Sequence, residues 1–291
     1  MHIVIVMPDE YGGSNPQKTN FNRLMFKNAG GENMRYKAAY HTDVGIRKKT
    51  NQDSLAIKIA DTPYGMAAFA VICDGMGGLA KGEVASKEVI CAFSDWFQES
   101  FAEMIDNDSF DEELMRKQWH SIAVNENEIL KAYGEDNGIM IGTTLTAMLM
   151  FRDSYYIIHV GDSRAYEITG TEARQLTNDQ TFVAREVAAG RMTPEQAEVD
   201  SRRSVLLQCI GASPVVEPDF IKGEVVGDAV YMLCSDGFRH KISNEEMIER
   251  IGPAADVDDD ALTTGCQFLT ELDKYRKETD NITVLCIRTT P

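Results

Sequence analysis

Four aspartates in this chain stand at the ends of apolar runs that have the length of buried β-strands. Three of them close such a run and one opens the last run; they are Asp74, Asp162, Asp236 and Asp280. The run before Asp74, residues 67–73, has the composition of a core strand. Because antiparallel strands end beside the start of their neighbours, we expect the four carboxylates to meet at one edge of the fold.

Four carboxylates in one place would repel one another and raise their pKa values unless a cation neutralised them. Each aspartate alone is more often a turn residue than a ligand, so the repetition of the arrangement carries the prediction of a metal site. Oxygen ligands with no Cys or His pattern favour hard ions, so the predicted cofactor is Mg²⁺ or Mn²⁺. Three glycines follow Asp74 (Gly75, Gly77 and Gly78) and allow close backbone approach to a ligand.

A basic loop lies between the strands predicted over residues 38–44 and 55–59. It carries three cations in a row, Arg47, Lys48 and Lys49. In an acidic protein such a cluster suggests phosphate binding. A solvated charged loop explains the same residues equally well.

Composition narrows the classes of protein to consider. The chain has 291 residues, 43% of them hydrophobic, with 29 basic and 46 acidic side chains and a net charge of −17. This charge argues against nucleic acid or an anionic membrane as partner, and an anionic substrate would need local cations. The six cysteines form no CxxC pair and are predicted to be reduced packing residues in a cytoplasmic protein. No transmembrane segment or signal peptide is expected.

The remaining pattern predicts an α+β fold with mostly antiparallel sheets. Residues 1–35 are predicted to be an N-terminal extension or arm, with mobility expected. The predicted elements that follow the central strand are helices over 82–105 and 111–133, the latter ending at Gly134, a strand over 142–150, helices over 243–251 and 258–277, and a final strand.

Residues 177–213 interrupt the series of predicted strands with two short predicted helices. The first covers residues 181–189, and the second begins at Pro194 after the N-cap candidate Thr193. Together they look like a flap beside the predicted metal edge, which would control access. An ordinary helical connection is equally consistent with the sequence.

The chain resembles the metal-dependent serine/threonine protein phosphatases of type 2C, in their bacterial form. The resemblance runs from about Tyr40 to Arg288 and rests on motifs that occur in family order. These motifs are TDVGIRKKTNQDS, VICDGMGG with GEVAS, GTT, HVGDSRAY, LTNDQ, LLQCIG, LCSDGF and DNITV. Residues 36–291 would then be the catalytic domain, a four-layer αββα sandwich of two antiparallel β-sheets flanked by helices.

The resemblance also implies a centre of two Mn²⁺ or Mg²⁺ ions at one end of the sandwich. Asp74 would bridge both ions, the Gly75 carbonyl would bind one, and Asp236 and Asp280 would complete the other shell. A water held between two such ions has a lowered pKa and can attack phosphorus in line. Phosphoserine or phosphothreonine would be hydrolysed directly, without a phosphoenzyme.

Two further aspartates match family positions with supporting roles. Asp53 would hold metal-bound water, and Asp162 would serve a third ion together with Asp236. The phosphate-contacting position, usually Arg in the family, is here Lys48 with Arg47 beside it, so both are candidates. Lys supplies a point charge rather than a two-pronged clamp.

Other positions depart from the family pattern. Met76 stands where animal members have a His proposed as general acid, and His240 stands where some members have an acid that serves the third ion. Gln180 replaces the usual His after LTxD, and His159 is predicted to be a core-strand histidine rather than a ligand.

The residues argue against two alternatives to an active enzyme of this family. A catalytically silent phosphoprotein-binding module on the same fold would lack a metal ligand, and none of the four aspartates is missing. A cysteine-dependent phosphatase would need Arg six residues after Cys, which no cysteine here has. The expected partners are phosphoserine or phosphothreonine proteins and an opposing kinase, and the expected state is a monomer.

Overall fold

The structure, a computed structural model, describes residues 3–6, 34–77 and 81–291 of the chain. Its strands in these residues are β1 Ile3–Val6, β2 Arg35–Asp43, β3 Asp53–Thr62, β4 Gly65–Gly77, β5 Ile141–Thr143, β6 Leu145–Phe151, β7 Ser154–Val160, β8 Arg164–Ile168, β9 Ala173–Gln175, β10 Asp219–Glu224, β11 Ala229–Cys234 and β12 Ile282–Thr290.

The strands form two antiparallel sheets. The first sheet has the order β1-β3-β4-β6-β7-β10, with β5 paired to the end of β4. The second has the order β2-β12-β11-β8-β9. Neighbours such as β3 and β4 or β6 and β7 are joined by tight turns, so strand ends and starts alternate along each edge.

Helices cover the outer faces of both sheets. The α-helices in chain order are α1 Gly82–Trp96, which continues through a π-helical turn at Phe97–Phe101 into α2 Ala102–Asp106, then α3 Glu112–Asn137, α4 Phe182–Ala188, α5 Pro194–Val199, α6 Asp236–Arg239, α7 Asn244–Ile251 and α8 Ala261–Tyr275. Those that pack on the sheets are α1 to α3 and α6 to α8. No helix in the described residues has the length and apolar composition needed to cross a membrane.

Three buried cores separate the four layers. Successive side chains along β4 point to opposite faces of the sheet, so this one strand contributes to two of the cores. Phe69 and Val71 pack in the core beneath α1 and α3, while Ala68, Ala70 and Ile72 pack in the core between the sheets. The third core lies between the second sheet and helices α6 to α8. The predicted αββα sandwich is therefore confirmed.

The predicted helices are present as elements, but α8 begins at Ala261 rather than at residue 258 and the predicted end of α3 is wrong. The predicted stop of α3 at Gly134 fails because the helix runs on to Asn137 and ends at Gly138, whose φ of 63° gives the left-handed cap. Gly134 instead permits a close approach, since a Cβ there would lie 2.8 Å from the carbonyl oxygen of Ile139. Glycine inside a helix therefore marked a packing constraint, not a boundary.

The structure also bears on the predicted strand over residues 142–150 and on the predicted N-terminal extension. The single strand predicted over 142–150 is broken at Thr144 into β5 and β6. Of the predicted N-terminal extension, residues 3–6 form β1, which pairs antiparallel with β3. Residues 7–33 lie outside the described part of the chain, so the prediction of an arm stays a prediction.

The cysteines behave as packing residues. All six are free thiols; five are buried and Cys91 is partly exposed. Burial raises the pKa of Cys234 to about 12, which suppresses the reactive thiolate. The predicted packing role is confirmed for the five buried cysteines, and their reduced state stays a prediction.

Phe69 is an aromatic side chain that packs against three others in the first core. It is fully buried and lies 5.2 Å from the ring of Phe97, 5.9 Å from Trp96 and 6.2 Å from Trp119. We expect Phe69→Ala to lower the free energy of unfolding by about 3–5 kcal/mol in urea titrations. The control is Phe268→Ala, an aromatic that is 45% exposed, for which we expect under about 1 kcal/mol. Equal losses in both variants would contradict this assignment of the core.

Candidate active site

The first part of the site is built by the pairing of β3 with β4. Their antiparallel register places Asp53, the first residue of β3, directly opposite Asp74 near the end of β4. The backbone N–H of Gly75 donates to the carbonyl oxygen of Gln52 at 3.1 Å, which closes the two strands at this edge. A Cβ at Gly75 would lie 2.5 Å from that same oxygen, so the close approach requires glycine.

The break between β5 and β6 brings Asp162 to the same edge. The N–H of Asp74 donates to Oγ1 of Thr144 at 2.9 Å, and the N–H of Thr144 donates to the carbonyl oxygen of Asp74 at 2.9 Å. Thr144 Oγ1 also lies 2.8 Å from Oγ of Ser163, the residue after Asp162. The strand interruption that the sequence did not predict thus ties the ends of β4 and β7 together.

The second sheet contributes Asp236 and Asp280. Asp236 begins α6 directly after β11, and Asp280 precedes β12, which pairs antiparallel with β11. Oγ of Ser235 donates to Oδ2 of Asp53 at 2.9 Å and so links the two sheets beneath the site. Gly237 is required here because a Cβ would lie 2.1 Å from the carbonyl oxygen of Asn281.

Electrostatics show that the five aspartates share one region. Burial, together with the charges of Asp53, Asp236, Asp162 and Asp280, raises the pKa of Asp74 well above its ordinary value. The structure thus brings the predicted carboxylates of separate strands within electrostatic range of one another, and their roles as metal ligands stay a prediction.

Asp53 and Asp162 respond in the same way. Burial raises the pKa of Asp53 to about 7 against hydrogen bonds from Thr283 and Ser235, and the charges of Asp236 and Asp280 add to the rise. Burial and the charge of Asp236 raise the pKa of Asp162 to about 8, with Arg239 opposing them. Buried carboxylates that raise one another's pKa favour a cation among them.

The donor set fits a hard divalent ion. Oδ1 of Asp53 and Oδ1 of Asp236 are both buried without a hydrogen-bond partner among the described residues, which is costly unless something else binds them. In residues 34–77 and 81–291 no three carboxyl, imidazole or thiol groups already converge into one ligand shell. Charge repulsion reaches further than ligand bonds, so the aspartates can raise one another's pKa values without converging at a single point.

Lys48 of the basic loop lies in this region. Its Nζ is 2.8 Å from Oδ1 of Asp280. Partial burial favours loss of its proton, but the hydrogen bond to Asp280 and the charges of Asp280, Asp74 and Asp236 outweigh this and raise the pKa of Lys48. All three loop cations are exposed, and the side chain of Lys48 is 42% exposed, so it is the ion pair with Asp280 that sets Lys48 apart. Lys48 is thus the loop cation that the structure places beside the carboxylates.

Asn281 holds the basic loop, a role that the sequence analysis missed. Its Oδ1 accepts the N–H of Gln52 at 2.9 Å, and its Nδ2 donates to the carbonyl oxygens of Val44 and Thr50 at 3.0 and 3.2 Å. Both ends of the loop are therefore bound to the residue that follows Asp280. The sequence signal that could have identified Asn281 is its position directly after Asp280, a candidate metal ligand.

The structure gives the contacts of three polar residues that the sequence analysis singled out. His159 is fully buried, with Nδ1 2.9 Å from Thr146 Oγ1, so the prediction of a core histidine is confirmed. Gln180 accepts the N–H of Gly161 at 2.8 Å and fastens the loop that carries Asp162. His240 lies with Nε2 3.6 Å from Asp236 Oδ2 and Nδ1 3.3 Å from Glu278 Oε2.

The predicted flap helices are confirmed as elements. Thr181 and Thr193 are the N-caps of α4 and α5, and Pro194 is the first residue of α5. The N–H of Leu207 donates to the carbonyl oxygen of Gln180 at 2.7 Å, which returns the segment to the loop beside Asp162. Whether the segment controls access stays a prediction.

Comparison with known proteins identifies the class. Residues 43–259 match the family model described as Protein phosphatase 2C, and this chain belongs to that family. Serine/threonine protein phosphatase PstP of Mycobacterium tuberculosis is 32% identical over 219 residues, which cover 75% of this chain and 39% of PstP. The chain thus spans about two fifths of the length of that relative.

Two further relatives extend the comparison. Serine/threonine phosphatase stp of Listeria welshimeri is 30% identical over 251 residues, covering 86% of this chain and 94% of the relative. A crystal structure described as the catalytic domain of PstP in complex with two manganese ions has a TM-score of 0.68 and 28% identity, covering 89% of this chain and all of that one. The predicted fold and family are confirmed.

The raised pKa values predict how stability without divalent ions depends on pH. Asp53, Asp74 and Asp162 bind protons more tightly in the folded than in the unfolded chain, so ionising them removes stability. In EDTA we expect the free energy of unfolding to fall as pH rises from about 5 to about 8, by up to about 1.4 kcal/mol per pH unit for each group.

Urea titrations across this range measure the slope. Asp162→Asn should make it shallower, whereas Asp259→Asn, which changes an exposed carboxylate away from the site, should leave it unchanged. A stability that stays level or increases between these pH values would contradict the assignment of strongly raised pKa values.

Proposed function

We propose that this chain is a metal-dependent protein serine/threonine phosphatase. The observation that carries the proposal is the gathering of five aspartates from both sheets at one end of the sandwich, with Lys48 bound to one of them. Membership of the protein phosphatase 2C family and relatives named as serine/threonine phosphatases support the same activity.

The proposed cofactor is a pair of Mn²⁺ or Mg²⁺ ions, with a third as a further candidate. The residues proposed to hold them are Asp53, Asp74, Gly75 (through its carbonyl oxygen), Asp162, Asp236 and Asp280. When bound, two divalent ions lower the pKa of a water molecule and neutralise charge on phosphoryl oxygens. The structural neighbour with two manganese ions supports a pair.

The chain's own residues bind and orient the phosphate. Lys48 Nζ lies at the carboxylate cluster, where its charge can stabilise the negative charge that grows on phosphoryl oxygens in the transition state. Asn281 keeps the Lys48 loop in place, and Arg47 is available at the loop surface. We assign no covalent step to the protein, so phosphate transfers directly to water in line with the leaving serine or threonine oxygen.

The proposed substrates are phosphoserine and phosphothreonine proteins, with an opposing protein kinase. The segment over residues 177–213 is proposed as the flap that controls their access, within a catalytic domain over residues 36–291. We further propose that the protein acts as a cytoplasmic monomer. A silent phosphoprotein-binding module on the same fold is the alternative.

Metal-dependent hydrolysis tests the proposal. We expect turnover of p-nitrophenyl phosphate and of a phosphothreonine peptide with Mn²⁺ or Mg²⁺, and none in EDTA. Asp74→Asn and Asp236→Asn should each lower kcat by about 10²-fold or more, because each removes a charged oxygen ligand from the centre. Asp259→Asn, the exposed control, should keep full activity.

Two results would contradict the proposal. Metal binding without turnover on either substrate would favour the binding module. Activity that persists in EDTA and in both active-site variants would exclude the metal-dependent mechanism.

Comparison of Lys48→Ala with Arg47→Ala tests which cation contacts phosphate. The ion pair of Lys48 with Asp280 predicts that Lys48→Ala lowers kcat/KM by about 10²-fold, as expected for a charge that stabilises the transition state. Arg47→Ala, which removes a neighbouring exposed charge, should change kcat/KM by less than about threefold. A larger effect of Arg47→Ala in steady-state kinetics would assign the contact to Arg47.

A further inference from the structure

Arg239 is a cation at the carboxylate cluster that the sequence analysis did not single out. It ends α6, three residues after Asp236, and its side chain is 15% exposed. Its Nη2 lies 3.8 Å from Oδ2 of Asp162 and 3.3 Å from Oδ2 of Asp179. Arg239 therefore stands between a candidate metal ligand and a second carboxylate behind it.

Asp179 keeps Arg239 in this position. Its two oxygens each accept a hydrogen bond at 2.7 Å from Arg164, and Nε2 of Gln175 donates to Oδ1 at 3.2 Å. Although burial opposes ionisation, the contact with Arg164 and the charge of Arg239 lower the pKa of Asp179. A charged, fully engaged carboxylate thus anchors the guanidinium that reaches Asp162.

The contacts of Nη2 connect Arg239 to this cluster. Its Nε is buried and has no hydrogen-bond partner among the described residues, so the side chain is held by its Nη2 contacts. Arginine cannot lose its proton in a protein, so the positive charge beside Asp162 is permanent. A divalent ion that bound Asp162 would therefore lie beside this permanent positive charge.

We propose that Arg239 supplies at Asp162 the positive charge that a third divalent ion would otherwise supply, so that the centre of this chain takes two ions rather than three. This inference rests on the proposed metal-dependent function. Arg239 is then a positioning residue: it neutralises and orients Asp162 and does not contact the substrate.

Charge balance favours this arrangement. Asp53, Asp74, Asp162, Asp236 and Asp280 bring five negative charges, and Lys48 and Arg239 return two positive ones. Two divalent ions already exceed the negative charge that is left, and a third would add further repulsion. Removing Arg239 would leave Asp162 without its cation and make room for another.

Counting bound Mn²⁺ tests the inference without any assay of activity. Protein stripped with a chelator is titrated with MnCl₂ and followed by calorimetry and by the electron paramagnetic resonance signal of free Mn²⁺. We expect two ions per chain for the parent and three for Arg239→Gln, the third binding at least tenfold more tightly than any third ion in the parent. Arg239→Lys, which keeps the charge, should return the count to two.

Two variants control the assignment. Arg191→Gln removes one positive charge from an exposed ion pair with Glu186 and should still bind two ions. Combining Arg239→Gln with Asp162→Asn should abolish the gained ion, because its ligand is gone. Circular dichroism checks that each variant is folded, and Arg239→Met replaces Arg239→Gln if the latter unfolds.

The outcomes separate this inference from the proposed function. Three ions in the parent, or an unchanged count in Arg239→Gln, would overturn the role of Arg239 while leaving the phosphatase proposal in place. No Mn²⁺ binding by any folded variant would overturn both. A third ion in the Arg191→Gln control would show that general loss of charge, not Arg239, sets the count.

Discussion

Mutual repulsion among buried carboxylates is the constraint on which the end of this sandwich depends. Asp74 is partly buried among four other aspartates whose charges help to raise its pKa, a costly arrangement in a chain whose net charge is already −17. Such a cluster persists only if the surrounding structure holds it and cations neutralise it. The backbone hydrogen bonds, the glycines and the positive side chains at this end all serve one of these two needs.

The supporting contacts come from residues that would not themselves bind an ion. Ser235 bonds to Asp53 across the two sheets, and Thr144 bonds to the backbone of Asp74. Asn281 binds both ends of the loop that carries Lys48. Each of these residues lies next to an aspartate or opposite one, so the carboxylates and their supports share the same strand ends. The geometry of the site is therefore a consequence of strand register, and a slip of one residue would disrupt it.

Local periodicity predicted the core strands, most helices and the aspartates at strand ends, whereas the four-layer sandwich was implied by the family resemblance. A run such as residues 67–73 is apolar enough to identify a core strand without knowledge of its partners. β10, which contains only exposed and partly buried residues, lacks that signal and was missed. Gly134 misled because a glycine can mark close packing as well as a helix end. Arg239 was missed because nothing local shows that Asp162, 77 positions earlier, lies beside it.

Under the proposed function, the distribution of charge separates capture of a substrate from its turnover. The net charge of −17 repels a phosphoprotein at long range, and the charges of Lys48 and Arg239 are screened within about 8–10 Å at physiological salt. Electrostatic steering therefore does not bring substrate to this site. Lys48 acts only on a phosphate that is already in place, and Arg239 is occupied by Asp162 and Asp179. Selection among phosphoproteins must then come from short-range contacts around the site, for which the segment over residues 177–213 is the proposed surface.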